Sequence, residues 1–135
     1  MIWVNRNTII TPYLALTVCE EEHEKLLKKH GLLHDNHLKA GRVTYIEDQN
    51  TMIVYIHPVK KVSDAELSII AHESVHVFQF VCESMNEEKA SSEFEAYSIQ
   101  HIFYNLATNY RKECDKYYKK INKKKKGTSK LVERK

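Results

Sequence analysis

The chain has 135 residues, of which 42% are hydrophobic and 29% charged, and it contains only three glycines and two prolines. This length suits one domain, and the globular composition excludes collagen-like, low-complexity and wholly disordered chains. The longest apolar run, residues 13–19, is too short to cross a membrane, and residues 1–20 lack the pattern of a signal peptide. Three cysteines, spaced far apart without a CxxC pair, predict a reducing, cytoplasmic location.

The first half of the chain predicts a strand, a short helix and a hairpin. Residues 13–19 are apolar on both alternating faces, as in a strand at the centre of a sheet. Residues 20–30 begin with acids and end with lysines, and Gly31 follows, which is the pattern of a capped amphipathic helix. Two β-rich runs, residues 42–47 and 52–57, flank turn-forming residues and predict an antiparallel hairpin.

The second half predicts two long helices. Ser63 and Glu66 form the signature of a capping box, and apolar residues then continue at helical spacing over residues 64–85. A second helical pattern runs over residues 92–118. We therefore expect an α+β domain over residues 1–118, in which a small sheet containing antiparallel strands packs on the two long helices.

Charge separates the end of the chain from this domain. Residues 1–115 hold eleven basic and seventeen acidic residues, a net charge of −6, whereas residues 116–135 hold ten basic residues and one acidic residue, a net charge of +9. Residues 119–135 have little apolar surface to bury, so we predict a basic, disordered segment. Its lysines could contact nucleic acid without sequence preference, and a solvated segment that aids solubility is the alternative.

The first long helix contains an HExxH motif, formed by His72, Glu73 and His76. Residues four apart on a helix lie on one face, so both imidazoles can hold one metal ion, with zinc the usual choice. Glu73 lies beside them and could act as a general base on a water molecule that the metal activates. An accidental match in a chain rich in His and Glu is the alternative, but these polar positions interrupt an apolar helix and favour a metal site.

A catalytic zinc site usually has three protein ligands, and two acids at the start of the second long helix are candidates for the third. Glu95 and Glu93 point about 200° apart on a helix, so only one of them can face the metal ion. Glu95 could instead form a capping box with Ser92, and Glu93 could be a solvated acid favoured by the helix dipole. Glu95 is our first choice.

His72, Glu73 and His76, followed after eighteen residues by Glu95, resemble the gluzincin branch of the zincin metallopeptidases. The similarity covers about residues 42–105 and suggests a minimal form of the family, of the small kind carried by phages and prophages. The resemblance implies that His72, His76 and Glu95 bind Zn²⁺, that Glu73 is the general base, and that the reaction is peptide-bond hydrolysis.

The same resemblance leaves the oxyanion-stabilising residue open, because no separate domain supplies one. Tyr97, His101 and Tyr104 on the second long helix are candidates, as is His57 at the end of a strand. A peptide or protein substrate is expected to lie along an edge strand, for which we choose residues 52–57. The alternative function is a zincin-fold module that binds or regulates without cleaving, with its lysine-rich end contacting nucleic acid.

Overall fold

The computed structural model describes residues 1–4, 12–32 and 40–133, with side chains described as far as residue 129. The predicted α+β class is confirmed for these residues, which form a mixed sheet of four strands with three helices. The strands are β1 (Ile2–Trp3), β2 (Tyr13–Thr17), β3 (Gly41–Ile46) and β4 (Thr51–Ile56), and the helices are α1 (Glu20–Lys29), α2 (Asp64–Ser84) and α3 (Ser92–Glu133).

The order of the described strands across the sheet is β1-β2-β4-β3. β2 lies between β1 and β4, as predicted for a central strand, and it pairs with β4 in parallel. β3 and β4 form the predicted antiparallel hairpin, one residue earlier at each boundary than expected. Asn50 adopts the left-handed conformation, with φ at 46°, that the short connection requires.

The prediction that residues 52–57 form an edge strand is wrong. β4 pairs with β2 on one side and with β3 on the other, and all six of its residues are buried. The reason is visible in its composition: a run that is apolar on both faces needs cover on both faces, as the interior of a sheet provides. The edge strand beside α2 is β3.

Helices cover both faces of this sheet. α1 packs on one face, where the buried His23 ring lies 5.1 Å from that of Tyr55. α2 and α3 cover the other face, where alternate residues of β2 and β4 join one apolar cluster with residues of both helices. The buried members of this cluster are Leu14, Leu16, Val18, Met52, Val54, Ile56, Ile70, Val77, Val81, Leu106, Tyr110 and Cys114.

Hydrogen bonds fix the start of α2 and its connection to the sheet. The Glu66 carboxylate accepts the backbone N–H of Ser63 at 2.7 Å and is also bonded to the Ser63 hydroxyl, so the predicted cap signature is used. The Tyr110 hydroxyl on α3 donates to the backbone oxygen of His57 at 2.6 Å, and the Tyr118 hydroxyl donates to that of Pro58 at 3.3 Å. These bonds tie the β4–α2 connection to α3.

The end of the chain differs from the prediction of a disordered segment over residues 119–135. α3 continues as one helix to Glu133, and residues 134–135 lie outside the described part. Lysine has a favourable helix propensity, and half-buried Ile121 extends the apolar side of α3 past residue 118. The lack of a core does not prevent helix formation when the segment continues a helix that is already nucleated.

The Tyr55 phenol provides a test of the packing of α1 on the sheet. Burial, followed by negative charge nearby, raises its pKa from 10 to about 12, so the folded protein holds this proton more tightly than the unfolded chain. The free energy of unfolding should therefore fall as the pH rises from 10 to 12. In Tyr55→Phe the free energy of unfolding should fall less steeply with pH, by up to about 1.4 kcal/mol per pH unit. Urea unfolding of both proteins at each pH measures this difference. Parallel pH profiles for the two proteins would contradict the buried environment.

Candidate metal centre on helix α2

The two histidines of the HExxH motif lie side by side on the outer face of α2. His72 is exposed and His76 is half-buried, and their Nε2 atoms are 3.1 Å apart. The opposite face of the same helix is buried in the apolar cluster. The helical repeat therefore brings the imidazoles together, as the four-residue spacing predicts.

Gln79 orients the second of these histidines. The Nδ1–H of His76 donates to the side-chain oxygen of Gln79, which lies 2.9 Å away and one turn further along α2. With the proton on Nδ1, the Nε2 atom carries a lone pair directed at His72. Histidines that bind metal ions are commonly held this way, with the second ring nitrogen fixed by a hydrogen bond.

The separation of the two nitrogens fits one zinc ion. Two ligand nitrogens at 2.0–2.1 Å from zinc, at the tetrahedral angle, lie about 3.3–3.4 Å apart. The observed 3.1 Å is within a few tenths of an ångström of that value. A hydrogen bond between the rings has a similar length, so the distance makes His72 and His76 suitable as a ligand pair without assigning the metal.

Glu73 lies beside the pair on the side of α2 that packs against β3. The residue is only 6% exposed, and burial raises the pKa of its carboxyl group, while positive charge on His72 and His76 opposes the rise. The backbone of Gly41 approaches it closely, since a Cβ atom there would lie 3.2 Å from Glu73 Oε1 and 2.9 Å from Cγ2 of Ile69. A residue without a side chain is what lets β3 begin against Glu73.

α3 does not begin with the capping box of Ser92 and Glu95 that the sequence offered as an alternative role for Glu95. The Ser91 hydroxyl accepts the backbone N–H of Phe94 at 3.3 Å, and the Ser91 carbonyl accepts that of Glu95 at 3.0 Å. Ser91 therefore caps the helix one residue earlier than predicted. The exposed Glu95 carboxylate is left without a capping role.

The structure does not bring Glu95 or Glu93 to the histidine pair. Both acids are exposed, and Glu95 lies near Cys82, where burial, Glu87 and Glu95 together raise the thiol pKa. Cys82 is six residues past His76, about 9 Å along the axis of α2. Across residues 1–4, 12–32 and 40–133, no three His, Cys, Asp or Glu side chains form a group that could hold a metal ion. The third ligand thus remains a prediction from the sequence.

Three of the candidates for oxyanion stabilisation are on α3, on the side away from its buried face. Tyr97 and Tyr104 are 68% and 67% exposed, and the exposed His101 ring bonds to the Asn105 amide at 3.0 Å. His57 is exposed at the end of β4, with its Nδ1 atom 3.5 Å from the Tyr55 hydroxyl. None of these contacts assigns a catalytic role.

Two residues of this site were missed in the sequence. Gln79 stands three residues after His76, a spacing at which helix side chains meet, so the pattern could have indicated it. Gly41 is an isolated glycine before a predicted strand, which often marks a close backbone approach. The partner in that approach, Glu73, could not be known without the register of β3 against α2.

Comparisons with protein-family models, with curated proteins and with solved structures gave no match to this chain. No helix among the described residues combines the length and the apolar character needed to cross a membrane.

The contact between Gly41 and Glu73 gives a prediction on stability. Gly41→Ala adds a methyl group 2.9 Å from a side-chain atom of the β-branched Ile69, and overpacking of this kind costs about 1–3 kcal/mol. Gly127→Ala is the matched control, because a Cβ atom at this position would meet nothing within 4 Å. The substitution also removes a glycine from the exposed end of α3. It should change stability by no more than about 1 kcal/mol, in the stabilising direction. Urea unfolding of both variants checks this, and equal effects would contradict the close approach of β3 to α2.

Proposed function

We propose that the chain is a zinc-dependent metallopeptidase. The observation that carries the proposal is the 3.1 Å separation of the His72 and His76 Nε2 atoms, with Gln79 holding the proton of His76 on its other nitrogen. Two imidazoles in this arrangement are suitable ligands for one divalent cation of the zinc type. Glu95 is proposed as the third ligand, on the sequence resemblance to the gluzincins.

Glu73 is proposed as the general base. Bound zinc would lower the pKa of a water molecule and polarise the carbonyl group of the scissile bond. The Glu73 carboxylate follows the first histidine directly and borders the pair, so it can take a proton from the attacking water and deliver it to the leaving nitrogen. The packing of β3 against Glu73 keeps this carboxylate largely away from bulk solvent.

The substrate is proposed to be an extended peptide that pairs with β3. β4 occupies one side of β3, and the described residues place no strand along its other side. β3 also begins at Gly41, against Glu73, so a peptide added along it would pass beside the proposed base. This replaces the predicted substrate strand over residues 52–57.

We also propose that the protein acts in a reducing compartment such as the cytoplasm. Cys19, Cys82 and Cys114 are all free thiols, and two of them are half-buried. None of them is needed as a disulfide to hold the fold.

Replacing Glu73 with Gln tests the mechanism. Glu73→Gln removes the base but leaves both histidines, so zinc content should be unchanged while peptide hydrolysis falls by about 10²–10⁴-fold. Glu83→Gln is the matched control, because it makes the same chemical change at an exposed position of the same helix and should leave hydrolysis intact. The readout is cleavage of a mixed peptide library, followed by mass spectrometry, together with elemental analysis for zinc.

Two results would count against this function. Equal hydrolysis by Glu73→Gln and the parent chain would remove Glu73 as the base. A parent chain that holds zinc but cleaves nothing in the library, while it retains a protein in a stable stoichiometric complex, would favour the non-catalytic binding module.

A further inference from the structure

The last part of α3 forms a basic arm, defined as residues 119–129, that has few contacts with the rest of the domain. Ten of its eleven residues are exposed, and only Ile121 is half-buried. Between Asp115 and Glu133 the chain contains no acidic residue. The exposed lysines of the arm and of the turn before it are Lys116, Lys119, Lys120, Lys123, Lys124, Lys125 and Lys126.

The helical form of this arm concentrates positive charge. From Lys116 to Lys126 the helix rises about 15 Å, and several lysines stand three or four residues apart, where like charges repel and destabilise the helix. A polyanion would remove this repulsion. Duplex nucleic acid carries one negative charge for about each 1.7 Å of its axis, so its charge density suits the arm.

The two sides of the arm differ. Five of these seven lysines, Lys116, Lys119, Lys120, Lys123 and Lys124, line a groove of about 820 Å³ between this part of α3 and the start of α1. The opposite wall of the groove carries Glu20, Glu21 and Glu22. Burial, and then charges that include Glu21 and Glu20, raise the pKa of the Tyr117 phenol at the base of the arm, as expected if the acidic turn faces α3.

The outer side of the arm is defined by Lys125 and Lys126, the exposed lysines of residues 119–129 that do not line the groove. Lys125 is turned by 100° from Lys124 around the helix axis, and Lys126 points in nearly the same direction as Lys119 but lies about 10 Å further along the axis. Phosphates approaching the groove side meet the carboxylates of α1, whereas Lys125 and Lys126 do not share the groove with those carboxylates. The outer side is therefore where a polyanion gains most.

We propose that the basic arm binds duplex nucleic acid through this outer side, without sequence preference. Lysine ammonium groups act as point charges on phosphates, and the arm has no arginine for bidentate reading of bases. Single strands are disfavoured, because aromatic side chains for stacking are absent from residues 119–129 and the Tyr118 hydroxyl is bonded to Pro58. Membrane surfaces are disfavoured because the arm has no apolar face to insert.

The test compares two double variants of the full-length chain that have the same change in charge. Binding of a fluorescent 25-base-pair duplex of mixed sequence is measured by anisotropy over a range of salt concentrations, with chelator present. Lys125→Gln with Lys126→Gln should weaken binding roughly 60-fold at 0.1 M salt and reduce the log–log salt slope by about 1.8, the loss of two phosphate contacts. Lys120→Gln with Lys124→Gln should have a clearly smaller effect on both quantities.

A second pair of substitutions keeps the test independent of any loss of helix in the lysine variants. Glu20→Gln with Glu21→Gln removes carboxylates from the groove wall and should increase affinity for the duplex several-fold, with the arm itself unchanged. Equal losses in the two lysine variants would show a segment without distinct sides and would overturn the proposal. So would a parent chain that binds poly-glutamate, anionic phosphatidylserine vesicles or single-stranded DNA as tightly as the duplex. Because chelator is present, these outcomes are separate from those of the metal site.

Discussion

The geometry of the candidate site depends on the burial of one face of α2. Ile70, Ser74, Val77 and Val81 face the sheet and α3, so the residues on the opposite side must face outward. His72 and His76 are on that side, one turn apart, and a helix held this firmly cannot rotate to hide or separate them. The outward position of the pair is therefore a consequence of where the core lies, and the 3.1 Å approach of the Nε2 atoms follows from the four-residue spacing.

The rest of the candidate site is built around this fixed pair. Gln79, on the next turn of the same helix, accepts the Nδ1 proton of His76 and so fixes its tautomer. β3 brings the backbone of Gly41 against Glu73 from the side. The start of α2 is fixed in turn by the bond between Glu66 and Ser63 and by the bonds from α3 to the connection that follows β4. The site therefore inherits its geometry from the sheet and from both long helices.

The sequence predicted those features that depend on local periodicity and on caps. The position of α2, its cap and the pairing of His72 with His76 follow from the 3.6-residue repeat and from the Ser63–Glu66 spacing. β4 was predicted to be an edge strand, although a run that is apolar on both faces belongs in the interior of a sheet. Two features depend on tertiary contacts that no local pattern contains. They are the continuation of α3 past residue 118 and the position of Glu95 relative to the histidine pair. Parts of the predicted domain, residues 5–11 and 33–39, lie outside the described residues.

The central claim is that His72 and His76 hold one metal ion, and elemental analysis of the purified full-length chain tests it most directly. The account predicts about one zinc per chain, lost in His72→Ala and in His76→Ala, and lost in Glu95→Ala but not in Glu93→Ala. Zinc lost from the histidine variants but kept in Glu95→Ala would move the third ligand elsewhere and leave the pair in place. Zinc absent from the parent chain even after incubation with the metal, or retained when either histidine is replaced, would contradict the account.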